Sequence, residues 1–215
     1  MNSIVEKIEK YRVVTICRGV YGDQLKKLVE ALQDGGIRLI EVTFDQADPE
    51  AVKKTGDAIA MIAENFPQML VGCGTATKIE HVLATKAAGG MFVLSPNVNL
   101  DVIKATKAAG LVSIPGALTP TEMLDAIDAG ADIVKVFPAG WLGLRYIKDV
   151  KGPINHAKFM AAAGINEENI KDYRDAGYCS FGISGRLVDK KLIESGDFEE
   201  ITRRARTFVE QVSAD

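Results

Sequence analysis

Eight short apolar runs, each followed by a stretch with helical periodicity, recur along the chain at intervals of 20 to 30 residues. They begin at Val13, Leu39, Met69, Met91, Leu111, Ile133, Ala157 and Tyr178. Runs this short and apolar at nearly every position lack the alternation of a strand with one wet face. They predict parallel strands covered on both sides, with the intervening helices as the cover. Eight compact strand–helix units predict an α/β fold, a closed (β/α)8 TIM barrel. The segment from Asn2 to Lys10 carries Ile4, Val5 and Ile8 at helical spacing, which adds an N-terminal helix packed across one end. An open doubly wound sheet is the alternative, but no run is followed by the GxGxxG fingerprint that such sheets often carry.

Local signals place the helices. The first barrel helix runs from about Asp23 and stops at Asp34-Gly35-Gly36, and the next is expected over Pro49 to Asn65, with Pro49 in its first turn. Two helices share the string ATKAAG, at Ala84–Gly89 and Ala105–Gly110. Thr119-Pro120-Thr121-Glu122 reads as a capping box. A short helical stretch is expected around Trp141, then helices over Asn166–Ala176 and Asp197–Val212.

Composition narrows the function. The 215 residues are 47% hydrophobic and 26% charged with a net charge of −3, which suits one soluble domain over residues 1–215. That balance offers no basic field for nucleic acid, and no run approaches the ~20 apolar residues of a membrane span. With no signal-peptide core at the N-terminus, a cytoplasmic protein with a small-molecule partner is expected. Cys17, Cys73 and Cys179 each sit in an apolar run and read as reduced packing residues. His81 and His156 form no ligand cluster with cysteines, so neither a metal nor another cofactor is expected.

One residue breaks the apolar pattern. Lys135 stands between Ile133, Val134, Val136 and Phe137 in DIVKVFPA. Burying an ammonium costs far more than burying an amine, so a lysine in such a strand is driven toward its neutral form, a nucleophile for ketones that yields a Schiff base. The structural alternatives are a side chain that snorkels out at the strand end or an ion pair. By strand alternation Lys135 shares a face with Ile133 and Phe137, and Glu41 shares one with Leu39 and Thr43. If both faces point inward, Lys135 and Glu41 meet in the lumen, as a structural ion pair or as the proton shuttle that Schiff-base chemistry needs. In such barrels chemistry sits at the carboxyl ends of the strands, where Arg18, Thr75, Ser95, Pro96, Pro115 and Gly116 are placed.

The strings EVTF from Glu41, GCGT ending at Thr75, FVLSP at Phe92–Pro96, IPGALTPTE at Ile114–Glu122 and VKVFPA at Val134–Ala139 together resemble the KHG/KDPG aldolase family. The match runs in order along nearly the whole chain. It implies a class I aldolase that cleaves a 2-keto-3-deoxy sugar acid or 4-hydroxy-2-oxoglutarate to pyruvate and an aldehyde. Lys135 then resembles the Schiff-base lysine, Glu41 the general acid/base, Thr75 a contact to the pyruvate carboxylate and Phe137 the aromatic that packs on the substrate. Arg18, Pro96, Gly116, Gly164, Ser184 and Arg186 complete the expected substrate-binding set, and the resemblance implies a homotrimer.

This chain also departs from the family. Asp45 stands where an arginine often follows EVT-x, and Ala161-Ala162-Ala163-Gly164 replaces a PTGG string. Asp45 is therefore expected on the aldehyde side, with Arg18 and Thr75 holding the pyruvate end. In Gly182-Ile183-Ser184-Gly185-Arg186 the family's serine is displaced by one, which leaves Arg186 either a phosphate ligand or a solvated surface charge. Two further readings stand beside the aldolase: a barrel decarboxylase or isomerase acting on another keto acid, and a catalytically silent ligand-binding homologue.

Overall fold

The computed structural model describes residues 4–213. Strands β1 (Val13–Cys17), β2 (Leu39–Thr43), β3 (Leu70–Gly74), β4 (Phe92–Leu94), β5 (Val112–Ile114), β6 (Gly116–Ala117), β7 (Val134–Val136), β8 (Phe159–Ala162) and β9 (Ser180–Ile183) form one parallel sheet. The order is β5-β4-β3-β2-β1-β9-β8-β7-β6. Its two edge strands, β5 and β6, are consecutive in the chain and separated only by Pro115, which has no N–H to continue the ladder. The Pro115 carbonyl still accepts from Lys135 N at 2.8 Å. The nine segments are thus the eight expected strands wrapped into a nearly closed barrel, the fifth broken by a proline.

Ten helices surround it among the described residues: α1 (Ile4–Tyr11), α2 (Gly22–Asp34), α3 (Ala51–Asn65), α4 (Ile79–Ala87), α5 (Leu100–Ala108), α6 (Pro120–Asp128), α7 (Ala139–Lys151), α8 (Ile170–Asp175), α9 (Lys190–Ser195) and α10 (Phe198–Ser213). The expected start of α1 at Asn2 lies outside the described residues. The capping box at Thr119 is present, its hydroxyl accepting from Glu122 N while Glu122 Oε2 accepts from Thr119 N at 2.8 Å. Pro49 falls in a turn before α3 rather than inside it, because Asp48 Oδ1 accepts from Glu50 N and closes a local turn there. The stretch around Trp141 is a 13-residue helix broken at Gly143, where φ is 69°. The helix expected over Asn166–Ala176 shrinks to α8, since Asn166 Oδ1 binds the amides of Glu168 and Asn169 in a turn.

Strand alternation splits the core in two. Val14, Leu39, Leu70, Phe92, Leu94, Val112, Ile114, Ile133 and Met160 fill the barrel, with Ile8 of α1 packed against them. Their neighbours, among them Val13, Cys17, Ile40, Val42, Val71, Cys73, Val134 and Val136, face the helices. Both layers are apolar, which is why the strands read as continuous hydrophobic runs. Cys17 and Cys73 are buried and unpaired, whereas Cys179 is only half-buried.

Candidate active site

Inward-facing positions become polar toward the carboxyl ends of the strands. On β2 the face that starts with buried Leu39 continues to Glu41 and Thr43, and on β7 the face of Ile133 continues to Lys135. Gly72 and Gly74 make room for this. A Cβ on Gly72 would lie 2.3 Å from the Phe92 ring, and one on Gly74 would lie 2.3 Å from Glu41 Oε1. The GCG string therefore seats one aromatic and one carboxyl group inside the barrel.

A cavity of about 270 Å³ opens above these residues, lined by Arg18, Glu41, Thr75, Pro96, Lys135, Phe137, Gly164, Ser184 and Arg186, with further wall from Ile16, Ala162, Ala163, Ile165, Gly182 and Gly185. Nine sequence-selected residues thus line one space. Gly116 does not: it pairs with Lys135 across β6 and β7, and a Cβ there would lie 2.5 Å from the Pro96 carbonyl oxygen. It lets two strand ends approach closely. Asp45 lies outside this cavity as well. It faces a neighbouring one with Gln46, Asp48, Lys78 and His81, and its Oδ1 accepts from Ala47 N at 3.0 Å. The local turn holds this carboxylate apart from the residues that line the Lys135 cavity.

Lys135 is only 8% exposed, so it does not snorkel to solvent. Its Nζ lies 5.2 Å from the centroid of the Phe137 ring. Burial drives the ammonium pKa down, the Glu41 charge opposes that shift, and the Arg18 guanidinium adds to it. Glu41 moves the other way: burial raises its carboxyl to about 7, against the lowering effects of Lys135 and Arg18. No ion pair within 4.0 Å joins the two among the described residues, and Glu41 Oε2 is buried without a hydrogen-bond partner. A structural salt bridge would satisfy that oxygen. Burial thus disfavours the charged form of both groups, which stand unpaired with each other at the wall of one cavity.

The rim is built from strained and charged elements. Thr75 and Ala163 adopt left-handed conformations, with φ of 55° and 69°. For a β-branched residue this is a rare geometry that costs roughly 1–3 kcal/mol, and such strain concentrates at binding sites. Arg18 Nη2 donates to Thr75 Oγ1 at 3.4 Å, so the two residues expected at the pyruvate end do meet. Arg186 is not free: its Nε donates to Glu167 Oε2 at 2.9 Å and its Nη2 to Glu167 Oε1. Glu167 had no sequence signal, because the turn that presents it is set by Asn166. Ile16 did have one, since it follows Val14 on the inward face of β1.

A family profile described as KDPG and KHG aldolase matches residues 4–204. The chain belongs to that family. Among curated KDPG and KHG aldolases, the KHG/KDPG aldolase of Escherichia coli K12 is 32% identical over 185 residues, covering 85% of this chain and 84% of that one. The 2-dehydro-3-deoxy-phosphogluconate aldolase of Haemophilus influenzae is 29% identical over 208 residues, 96% and 95% of the two chains. A KDPG aldolase structure from Legionella pneumophila, described with pyruvate captured as a covalent carbinolamine intermediate, superposes with a TM-score of 0.84 at 25% identity over 96% of this chain and 98% of that one. Among the described residues no three His, Cys, Asp or Glu side chains gather as a metal site, and no helix is long and apolar enough to cross a membrane.

Proposed function

We propose that this protein is a class I aldolase that cleaves a 2-keto-3-deoxy sugar acid to pyruvate and an aldehyde. The observation that carries this is a buried lysine and a buried carboxyl group, unpaired with each other, on the wall of one cavity in a chain of this family. The neutral amine of Lys135 attacks the C2 ketone of the substrate to give a carbinolamine. Glu41, poised near neutrality, protonates the departing hydroxyl, and water leaves with formation of the iminium. The iminium then accepts the electron pair of the C3–C4 bond as the C4 hydroxyl loses its proton to the Glu41 carboxylate. An aldehyde leaves and an enamine remains. Protonation at C3 and hydrolysis of the iminium release pyruvate and restore the amine, so protons and electrons balance with the imine as electron sink.

Arg18 and Thr75 hold the substrate carboxylate and Phe137 packs on its carbon chain in this reading. Ser184, Gly185 and Arg186 then face the aldehyde half. The test is a panel of 2-keto-3-deoxy acids, phosphorylated and not, assayed for pyruvate release. A decarboxylase would release carbon dioxide and a silent homologue nothing. If Arg186 grips a terminal phosphate, Arg186→Ala should lose about 10- to 100-fold in kcat/KM for the phosphorylated substrate only, the scale of one charge-assisted hydrogen bond. Equal losses for both substrates would leave Arg186 to its pairing with Glu167.

The family resemblance also points to a homotrimer. Trp141 on α7 is 90% exposed and Leu118 is 41% exposed, and apolar surface of this kind suits contact with another copy. Light scattering should return three times the chain mass; a monomer at micromolar concentration would reject it.

A further inference from the structure

Beyond the cavity wall, one side chain ties the strained Thr75 loop to the end of β2. Gln46 Nε2 donates to the Thr75 carbonyl at 3.0 Å and to the Phe44 carbonyl at 3.2 Å, while its Oε1 accepts from Thr77 Oγ1 at 2.6 Å. Thr77 is held in turn, its N–H donating to His81 Nδ1 at 3.1 Å, and the His81 ring stacks on Phe44 with centroids 4.1 Å apart. Phe44 closes the loop by donating its own N–H to the Gly74 carbonyl at 2.9 Å. Residues 75 and 77 are thus clamped to 44 through one amide that uses both its donor and its acceptor.

We infer that Gln46 is a positioning residue for substrate binding: it holds Thr75 in its left-handed conformation and so fixes the Thr75 hydroxyl and the Arg18 guanidinium that bonds to it. This rests on the aldolase reading above, in which those two groups grip the carboxylate. Thr75 at φ 55° would relax toward a commoner backbone region unless its surroundings over-determine it. Ala76 N donates to the Leu94 carbonyl at 3.0 Å on the far side, but the carbonyl of Thr75 itself is held by Gln46. Gln46 does not line the cavity, so its effect passes through Thr75. An interaction made alike with ground state and transition state shifts KM and leaves kcat in place.

Two readouts test this in the full chain: kcat and KM for a cleaved 2-keto-3-deoxy acid, and the pyruvate concentration giving half-maximal borohydride trapping. Gln46→Met keeps length and loses the hydrogen bonds. It should raise KM and the half-saturating pyruvate concentration about 3- to 10-fold, the scale of one or two neutral hydrogen bonds, with kcat within twofold. In a Thr75→Ala background the same substitution should add less than twofold, because its route is already cut. Gln46→Glu keeps the acceptor for Thr77 but sets a carboxylate against the Thr75 carbonyl, and it should weaken pyruvate capture at least as much. An unchanged KM in both Gln46 variants, or an undiminished effect in the Thr75→Ala background, would overturn the inference. A wild-type enzyme that traps no pyruvate at all would overturn the aldolase reading and this inference together. Normal wild-type trapping with an inert Gln46 would remove only the latter.

Discussion

Lys135→Arg should abolish turnover, with a loss of at least on the order of 10⁴-fold, the scale expected when a covalent nucleophile is removed. Charge is retained in this variant, so the loss would separate nucleophilicity from electrostatics. A guanidinium stays protonated in a protein and has no lone pair to offer a ketone. Lys135 differs in kind from the chain's other lysines: it is buried, and desolvation pushes its pKa down. Lys158 instead pairs with Glu9 at 2.6 Å and is exposed, and Lys148 is exposed on α7. Borohydride with pyruvate should therefore reduce the imine and leave one 1-carboxyethyl group on the wild type, mapped by peptide mass to Lys135, and none on Lys135→Arg. An adduct on Lys148 or Lys158 would sink the assignment.

The barrel could be read from the chain because its determinants are local and repeated. Strands covered on both faces are apolar throughout, and Thr119 and Gly36, the latter at a φ of 91°, mark helix ends by their own chemistry. Lys135 and Glu41 were visible as polar exceptions on faces that alternation fixes. The hidden parts depend on the fold. The fifth strand divides because Pro115 lacks an N–H, a detail with no effect on hydropathy. Helix α9 spans only six residues, too few to display a period. Asp45 lies off the Lys135 cavity because its carboxylate has a backbone amide two residues away to bond, a local turn that hydropathy does not display. Gln46 and Glu167 gain their partners, Thr75 and Arg186, only when loops 29 and 19 residues apart meet at the barrel mouth. Ala163 offers no hint of its left-handed backbone, since nothing in an alanine asks for positive φ.

Glu41→Gln should still bind substrate, with KM within a few fold, and lose roughly 10²- to 10⁴-fold in kcat, the range for removing a positioned acid/base. The carboxyl group is raised to about 7 chiefly by burial, so at neutral pH it is populated both as acid and as base, and the proposed reaction uses it in each role. The wild-type pH–rate profile should bend near 7, and the Gln variant, which does not titrate, should lose that bend. Stability gives an independent reading of the same group. With a folded-state pKa of about 7 above its ordinary 4.5, the native state binds the proton more tightly than the unfolded chain. The stabilisation from that proton is complete below 4.5 and is lost as pH rises through about 7, so the wild-type Tm should fall across this window. Glu41→Gln keeps the shape and removes the titration, and its Tm should be flatter over the same range. Unchanged turnover would mean that another group carries the proton. An unchanged Tm slope would mean that the carboxyl is already ionised in the folded protein, stabilised by Lys135 and Arg18, and that its proton is not available to assist the dehydration step.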